Sequence, residues 1–420
     1  MLAVRHSRGQ VGSLRAGSGV LEFTYAADWL QHADAFPLSP RLALREAPWR
    51  GDEVQFFFAN LLPEGAVLDT LIRLGRLPRG NVYRLLEAFG RECAGAFEIV
   101  PEVEAEQARS ARAEAADYRS YPREALAADL ARLRDNIPLV AQHADLRLSL
   151  AGAQNKIPLR YTDGRLWLPQ GHAASTHILK PALQPQALFV DSVLNEAFCM
   201  RLAAALGLPV ATVIVLADPE PVLLVERYDR VVETGRIERL HQLDLCQLAG
   251  VLPTQKYEAD GGPGFKTCFD LIDTHSAAPA RDRLSLVDWL LFNLLIGNAD
   301  AHAKNLAMLY GTDGKLRLAP AYDLLATGYW PSLSDRMAMG IGGERRPAWV
   351  QARHWQRFCE GVGLNAVQLR RRARTLCEKA FAGKDAVMAA LDVPAALATH
   401  LTVTLERNSQ RIESRIGGAA

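Results

Sequence analysis

The sequence predicts an α+β protein of two lobes with a small α+β unit in front of them. Three observations carry that expectation. The chain has 420 residues, enough for two or three domains. Between Glu102 and Arg134 the composition shifts to Ala, Glu and Arg, which reads as a polar helical connector. Beyond it strand signals come first and helical periodicity later, the order expected of a sheet-bearing lobe followed by a helical one. The divisions are therefore 1–105 for the N-terminal unit, 106–145 for the connector, 146–235 for the sheet lobe and 236–420 for the helical lobe.

In the first unit, the apolar run Phe56-Phe57-Phe58 reads as a buried strand, and Asn60-Leu61-Leu62-Pro63-Glu64-Gly65 as the turn leaving it. In the sheet lobe, strands are expected at Ile157 to Tyr161, Leu166 to Leu168, Thr176 to Leu179, Val210 to Leu216 and Val222 to Val225. A helix from Val193 to Leu206 interrupts them, with Asp191 or Ser192 as its cap and Gly207 as its stop. From Leu240 the chain turns mostly helical, and its densest apolar run, Trp289 to Ile296, is a buried helix too short to span a bilayer.

Composition excludes several classes. Lys plus Arg total 48 against 47 Asp plus Glu, so the chain lacks the positive excess that direct nucleic-acid or anionic-membrane binding needs. Apolar residues make up 49% and charged residues 23%, which is globular rather than disordered. The six cysteines are scattered without a CxxC pair, so a disulfide framework or a cysteine zinc site is not expected. No apolar segment follows the N-terminal Arg5, His6 and Arg8, and the expected location is cytoplasmic, with no membrane contact.

The strongest chemical signal is Gly297-Asn298-Ala299-Asp300-Ala301-His302-Ala303-Lys304-Asn305. Gly297 ends the apolar helix, so the polar residues fall in a loop on a rigid support. Asp300 and Asn305 have the spacing by which protein kinases orient an acceptor hydroxyl and hold Mg²⁺. Lys304 is suited to neutralising the phosphoryl group in transfer. Asp, Asn and His also populate plain loops, because they hydrogen-bond their own backbone. Asp323 follows after an expected hairpin, Asn305 to Tyr310 with Lys315 to Leu318, which would return it to Asn305 as a second oxygen ligand.

Lys180 ends an apolar strand, where its charge calls for a partner: a nucleotide phosphate, or Glu196 on the next helix. A snorkelling surface lysine is the alternative. Ala151-Gly152-Ala153-Gln154-Asn155-Lys156 is a small-residue loop before a strand, able to bring peptide N–H groups to phosphate or simply to turn the chain. Glu226-Arg227-Tyr228 stands where two lobes would join, a place for an adenine ring or for a charged turn.

Taken together, these stretches resemble the HipA family of bacterial toxin serine/threonine kinases. The similar strings include Asn60 to Gly65, Gly90 to Ala96, Ala151 to Lys156, Ile178 to Pro181, Val225 to Arg230, Lys256 to Gly264, Asp300-x-His302-x-Lys304-Asn305 and Tyr322-Asp323, in family order over nearly the whole chain. The resemblance implies a bilobal protein-kinase-like fold with an added N-terminal α+β subdomain and an all-helical C-terminal lobe. It implies ATP and Mg²⁺ as cofactors and phosphorylation of protein serine. Asp300 is then the catalytic base, assisted by Lys304, and Asn305 and Asp323 are magnesium ligands. Lys180 and the loop Ala151 to Lys156 meet the phosphates, and Glu226 to Tyr228 form the adenine hinge, with His302 also in the nucleotide site. Ser149 stands where relatives carry an autophosphorylated serine, whose phosphate would expel the loop by repulsion. The implied partners are a small helix-turn-helix antitoxin, through which alone DNA is contacted, and a translation component such as an aminoacyl-tRNA synthetase as substrate. One departure is Leu243, where many relatives carry an acidic residue. Two other readings stand beside this one: a small-molecule phosphotransferase, and a non-catalytic co-repressor using Arg370, Arg371, Arg372 and Arg374.

Overall fold

The computed structural model of the chain describes residues 1–17, 19–105, 117–143, 151–233 and 235–416. The N-terminal unit holds strands β1 (Leu2–His6), β2 (Gly9–Gly17), β3 (Val20–Tyr25), β4 (Trp49–Arg50) and β5 (Glu98–Pro101). They form one antiparallel sheet in the order β4-β3-β2-β1-β5. Leu2, Val4, Leu14 and Phe23 are fully buried in its core.

Phe56, Phe57 and Phe58 lie in a helix, Asp52–Ala59, and not in the expected strand. Asp52 and Glu53 occupy its first turn, where they complement the helix dipole. Val54, Phe57 and Phe58 fall at i, i+3 and i+4 and are buried together. Three consecutive apolar residues fit either period, and the flanking acidic pair decides for the helix.

The sheet lobe contains β6 (Tyr118–Ser120), β7 (Ile157–Thr162), β8 (Arg165–Pro169), β9 (His177–Lys180), β10 (Val213–Leu216) and β11 (Val222–Glu226), ordered β10-β11-β9-β7-β8-β6. Leu126, Leu130 and Leu133 of helix Arg123–Arg134 pack with Ile157, Leu159, Leu168, Leu179 and Leu224. The stretch expected as a connector therefore gives this lobe an edge strand and a covering helix. The arginines of this helix and Glu124 are exposed, while Asp129 is buried and accepts from Tyr121 Oη at 2.6 Å. Helix Ser192–Ala205 buries Phe198 and Leu202. Asp191 stands at the N-cap position as expected, but its side chain makes no capping hydrogen bond: it accepts from Tyr329 Oη, and Ser192 Oγ accepts from the Leu183 N–H.

After a hairpin of β12 (Arg230–Glu233) and β13 (Arg236–Arg239), β14 (Gln242–Asp244), β15 (Ala307–Tyr310) and β16 (Leu316–Leu318) make a small antiparallel sheet. β15 and β16 are the expected hairpin after Asn305. That small sheet interrupts an otherwise helical C-terminal part built on Phe265–His275, Pro279–Ile296, Ala352–Val362, Ala366–Leu391 and Ala395–Arg415. Among the described residues no helix is long and apolar enough to cross a membrane. All six cysteines are buried thiols.

Candidate active site

A cleft of about 810 Å³ lies where the three units meet. That is the size of a nucleotide or cofactor pocket. Helix Pro279–Ile296 supports its floor. Gly297 adopts φ 72°, and its N–H closes on Asn293 O and Leu294 O, which ends the helix. The following loop is pinned from several sides. Asn298 Oδ1 accepts from the Asp300 N–H at 3.0 Å, the Ala299 N–H donates to Thr327 Oγ1 at 2.8 Å, and Asn305 Nδ2 donates to Asp300 O at 3.2 Å.

Asp300 is exposed to the cleft, and Tyr257 Oη donates to its Oδ1 at 2.7 Å. Desolvation by the cleft walls leads in raising its pKa above the usual 3.8, against that hydrogen bond and the charge of Lys256. His302 is buried with its ring edge-on to Tyr257. Burial, with Lys256 nearby, lowers its pKa to about 3, so it is neutral at pH 7.

Lys180, at the end of β9, is buried. Its ammonium donates to Glu196 Oε1 and Asp323 Oδ1, each at 2.6 Å. Burial opposes this charge, yet Asp323 and Glu196 raise the lysine pKa. Burial likewise works to raise Asp323, but Lys180 prevails and holds it at about 2. Burial keeps Glu196 above its usual value in spite of the lysine. The strand Lys, helix Glu and C-lobe Asp thus meet in one ion triad. Asp323 takes a left-handed backbone, φ 60°, to reach it.

Ala151 to Lys156 line the cleft except for Asn155, which has a buried Oδ1 without a hydrogen bond. Gly152 has φ 114°, and a Cβ there would stand 2.7 Å from Lys156 Nζ, so the loop needs glycine. Lys156 donates to Ala151 O; burial and the neighbouring Lys180 lower its pKa to about 8. Ser149 lies outside the described residues.

The expected hinge divides. Glu226 and Tyr228 line the cleft, and Tyr228 packs on Tyr322 with ring centroids 5.9 Å apart. The Arg227 guanidinium, however, is buried in an ion network. It bonds Asp229, Glu92 Oε1 at 2.9 Å and Cys93 O at 2.9 Å, while Arg230 and Arg239 also bond Glu92. Arg227 also lines the cleft, and its guanidinium fastens the N-terminal unit to the expected hinge. Lys304 also differs from expectation. Its ammonium donates to Asn60 O at 2.8 Å, Asn60 Oδ1 at 3.0 Å and Asp244 Oδ2 at 2.6 Å, which uses all three of its hydrogens. Leu243 is fully buried, so its neighbour Asp244 supplies the carboxylate of this strand to the site.

Asn60, Glu64, Asp244, Lys256 and Tyr257 also line the cleft, though no sequence signal marks them for chemistry. Lys256 Nζ donates to Glu64 Oε2 at 2.9 Å, and the Glu64 N–H donates to Gly152 O at 3.0 Å. These contacts join segments far apart in the chain, and no local pattern announces them.

Asn305 and Asp323 both line the cleft and offer hard oxygen donors, the second kept ionised. Among the described residues no cluster of three or more His, Cys, Asp or Glu could hold a metal. Two protein oxygens fit Mg²⁺, which keeps several waters and shares phosphate oxygens.

The family model described as "HipA-like C-terminal domain" matches residues 148–383, and that of the "HipA N-terminal domain" matches residues 2–100. A Sinorhizobium fredii protein named "Putative kinase Y4mE" is 43% identical over 366 residues, covering 86% of this chain and 85% of its own. The "Serine/threonine-protein kinase toxin HipA" of Shewanella oneidensis is 33% identical over 359 residues, covering 81% of this chain and 78% of its own. A solved complex of Shewanella oneidensis HipA, HipB and operator DNA contains a chain that superposes with a TM-score of 0.81 at 28% identity, covering 100% of this chain and 98% of that one. Matched by family models at both ends and by relatives along most of its length, the chain belongs to the HipA family of kinases.

Proposed function

We propose that this kinase uses ATP and Mg²⁺ to phosphorylate serine or threonine in protein, as the toxin of a toxin–antitoxin pair in the cytoplasm. The observation carrying this reading is the meeting of Asp300, Asn305, Asp323 and the Lys180–Glu196 pair in one cleft. Asp300 accepts the proton of an acceptor hydroxyl, and its raised pKa keeps it a competent base. Lys180 presents its ammonium to the phosphates, and the loop Ala151 to Lys156 presents its backbone. Asn305 and Asp323 would hold Mg²⁺. When bound, ATP supplies the γ-phosphoryl group and Mg²⁺ shields its charge. Lys304, by way of Asn60 and Asp244, keeps the catalytic loop in place for this transfer.

A small helix-turn-helix antitoxin as partner is supported by the relative solved with HipB and operator DNA. The arginine run speaks against direct DNA binding, because Arg372 pairs with Asp288, Arg370 bonds Ile416 O and Arg374 pairs with Glu378. The substrate is a protein of the translation apparatus, such as an aminoacyl-tRNA synthetase, and Ser149 is the site of self-modification. The test is incubation with γ-labelled ATP and Mg²⁺, followed by peptide mapping. Label on serine, including Ser149, is expected; label only in added aminoglycosides or sugars would instead favour a small-molecule phosphotransferase.

A further inference from the structure

We infer that Glu64, from the N-terminal unit, is a positioning residue for phosphoryl transfer: its carboxylate seats the Lys256–Tyr257 segment over the catalytic Asp300. This rests on the kinase reading above. Glu64 follows the turn after helix Asp52–Ala59, and its side chain is only 12% exposed. Its Oε2 accepts from Lys256 Nζ at 2.9 Å. Its Oε1 is buried without a hydrogen bond and stands 3.9 Å from Lys304 Nζ. One carboxylate thus faces two ammonium groups on two different segments of the C-terminal part. The residue after Lys256 is Tyr257, whose hydroxyl holds Asp300 Oδ1. The path from the N-terminal unit to the base is therefore two polar contacts and one peptide link.

This role is separable from holding the unit in place. Docking is secured elsewhere, by Glu92 with Arg227, Arg230 and Arg239, and by Gln247 Nε2 donating to Phe57 O at 3.0 Å. The Glu64 peptide N–H, which holds Gly152 O, survives any side-chain change. Removing the charge at Glu64 therefore loosens the segment above Asp300 and leaves the phosphate loop and the core as they are.

The test uses the full-length chain and follows transfer from γ-labelled ATP into an Asp300→Asn copy as acceptor. Glu64→Gln lowers the rate constant at saturating ATP about 10- to 100-fold, the scale of a small misplacement at a reacting centre. KM for ATP stays within about twofold, and Tm within about 2 °C. Lys256→Met, which also removes a positive charge near Asp300, gives at least the same loss, and adding Glu64→Gln to it lowers the rate little further, because their shared link is already broken. Wild-type rates in Glu64→Gln would overturn the inference alone. So would a loss accompanied by a lower Tm and a raised KM for ATP, or losses that add. A wild-type chain that transfers nothing would overturn both this inference and the kinase reading.

Discussion

Lys304 of the Asp300 loop and Asn60 of the N-terminal unit are 244 positions apart in sequence and share two hydrogen bonds, at 2.8 and 3.0 Å. Asn60 Nδ2 also donates to Phe56 O and Val251 O. The loop that carries Asp300, the proposed base, is thus held partly by a domain outside the kinase lobes. Asn60→Ala removes the Oδ1 acceptor of Lys304 and the Nδ2 donor to Phe56 O and Val251 O, leaving the buried ammonium with Asp244 and the backbone carbonyl at position 60. The expected loss is about 1–3 kcal/mol, read from urea unfolding. A change within error would mean that the amide carries no weight in the fold.

Lys180→Met removes the cation between two carboxylates and is expected to abolish transfer and to weaken ATP binding. It also leaves Glu196 buried and unpaired, a loss of up to about 3–5 kcal/mol. Protonation of Glu196, whose pKa burial already raises, softens that loss. Adding Glu196→Gln in the Lys180→Met background should recover stability and not activity. Thermal melts of the two variants check this.

Activity should fall on acidification through the raised pKa of Asp300, since the proposed base works as the carboxylate. Tyr257→Phe deletes a hydrogen bond that favours that carboxylate, so its pKa rises further. The acid limb of kcat/KM in the variant should sit at higher pH than in the wild type. A limb that stays put, or moves down, would separate Tyr257 from the base.

Glu92 is 2% exposed and accepts from three arginines and Ser175. Burial would raise its pKa, but Arg239, Arg230 and Arg227 hold it well below the usual 4.5. A depressed carboxyl contributes stability in full above its unfolded value, and that contribution is lost as pH falls through the folded one. Glu92→Gln should therefore destabilise the chain at pH 7, by about 3–5 kcal/mol. The gap from wild type should close in acid, as unfolding curves at pH 7 and below pH 4 would record.

Much of the kinase core could be read from residues in order. Lys180 at a strand end, Glu196 on the next helix and the Asp300-to-Asn305 spacing are local patterns, and the hairpin β15–β16 returns Asp323 as its turn residues suggest. Phe56 to Phe58 were ambiguous because a three-residue apolar run has no period of its own. Residues 118–134 looked like a connector because their contribution to the sheet depends on pairing with β8, distant in sequence. The side-chain partners of Arg227 and Lys304 were not legible because a charged residue in a motif does not disclose them, and Glu92 and Asn60 come from the N-terminal unit.

The central claim is that Asp300 accepts the acceptor's proton beside a nucleotide held by Lys180, Asn305 and Asp323. The most direct measurement pairs ATP binding with single-turnover transfer in Asp300→Asn. Binding with Mg²⁺ close to wild type and transfer reduced at least about 10²–10⁴-fold is the expected result. Transfer at the wild-type rate, with the same binding, would contradict it.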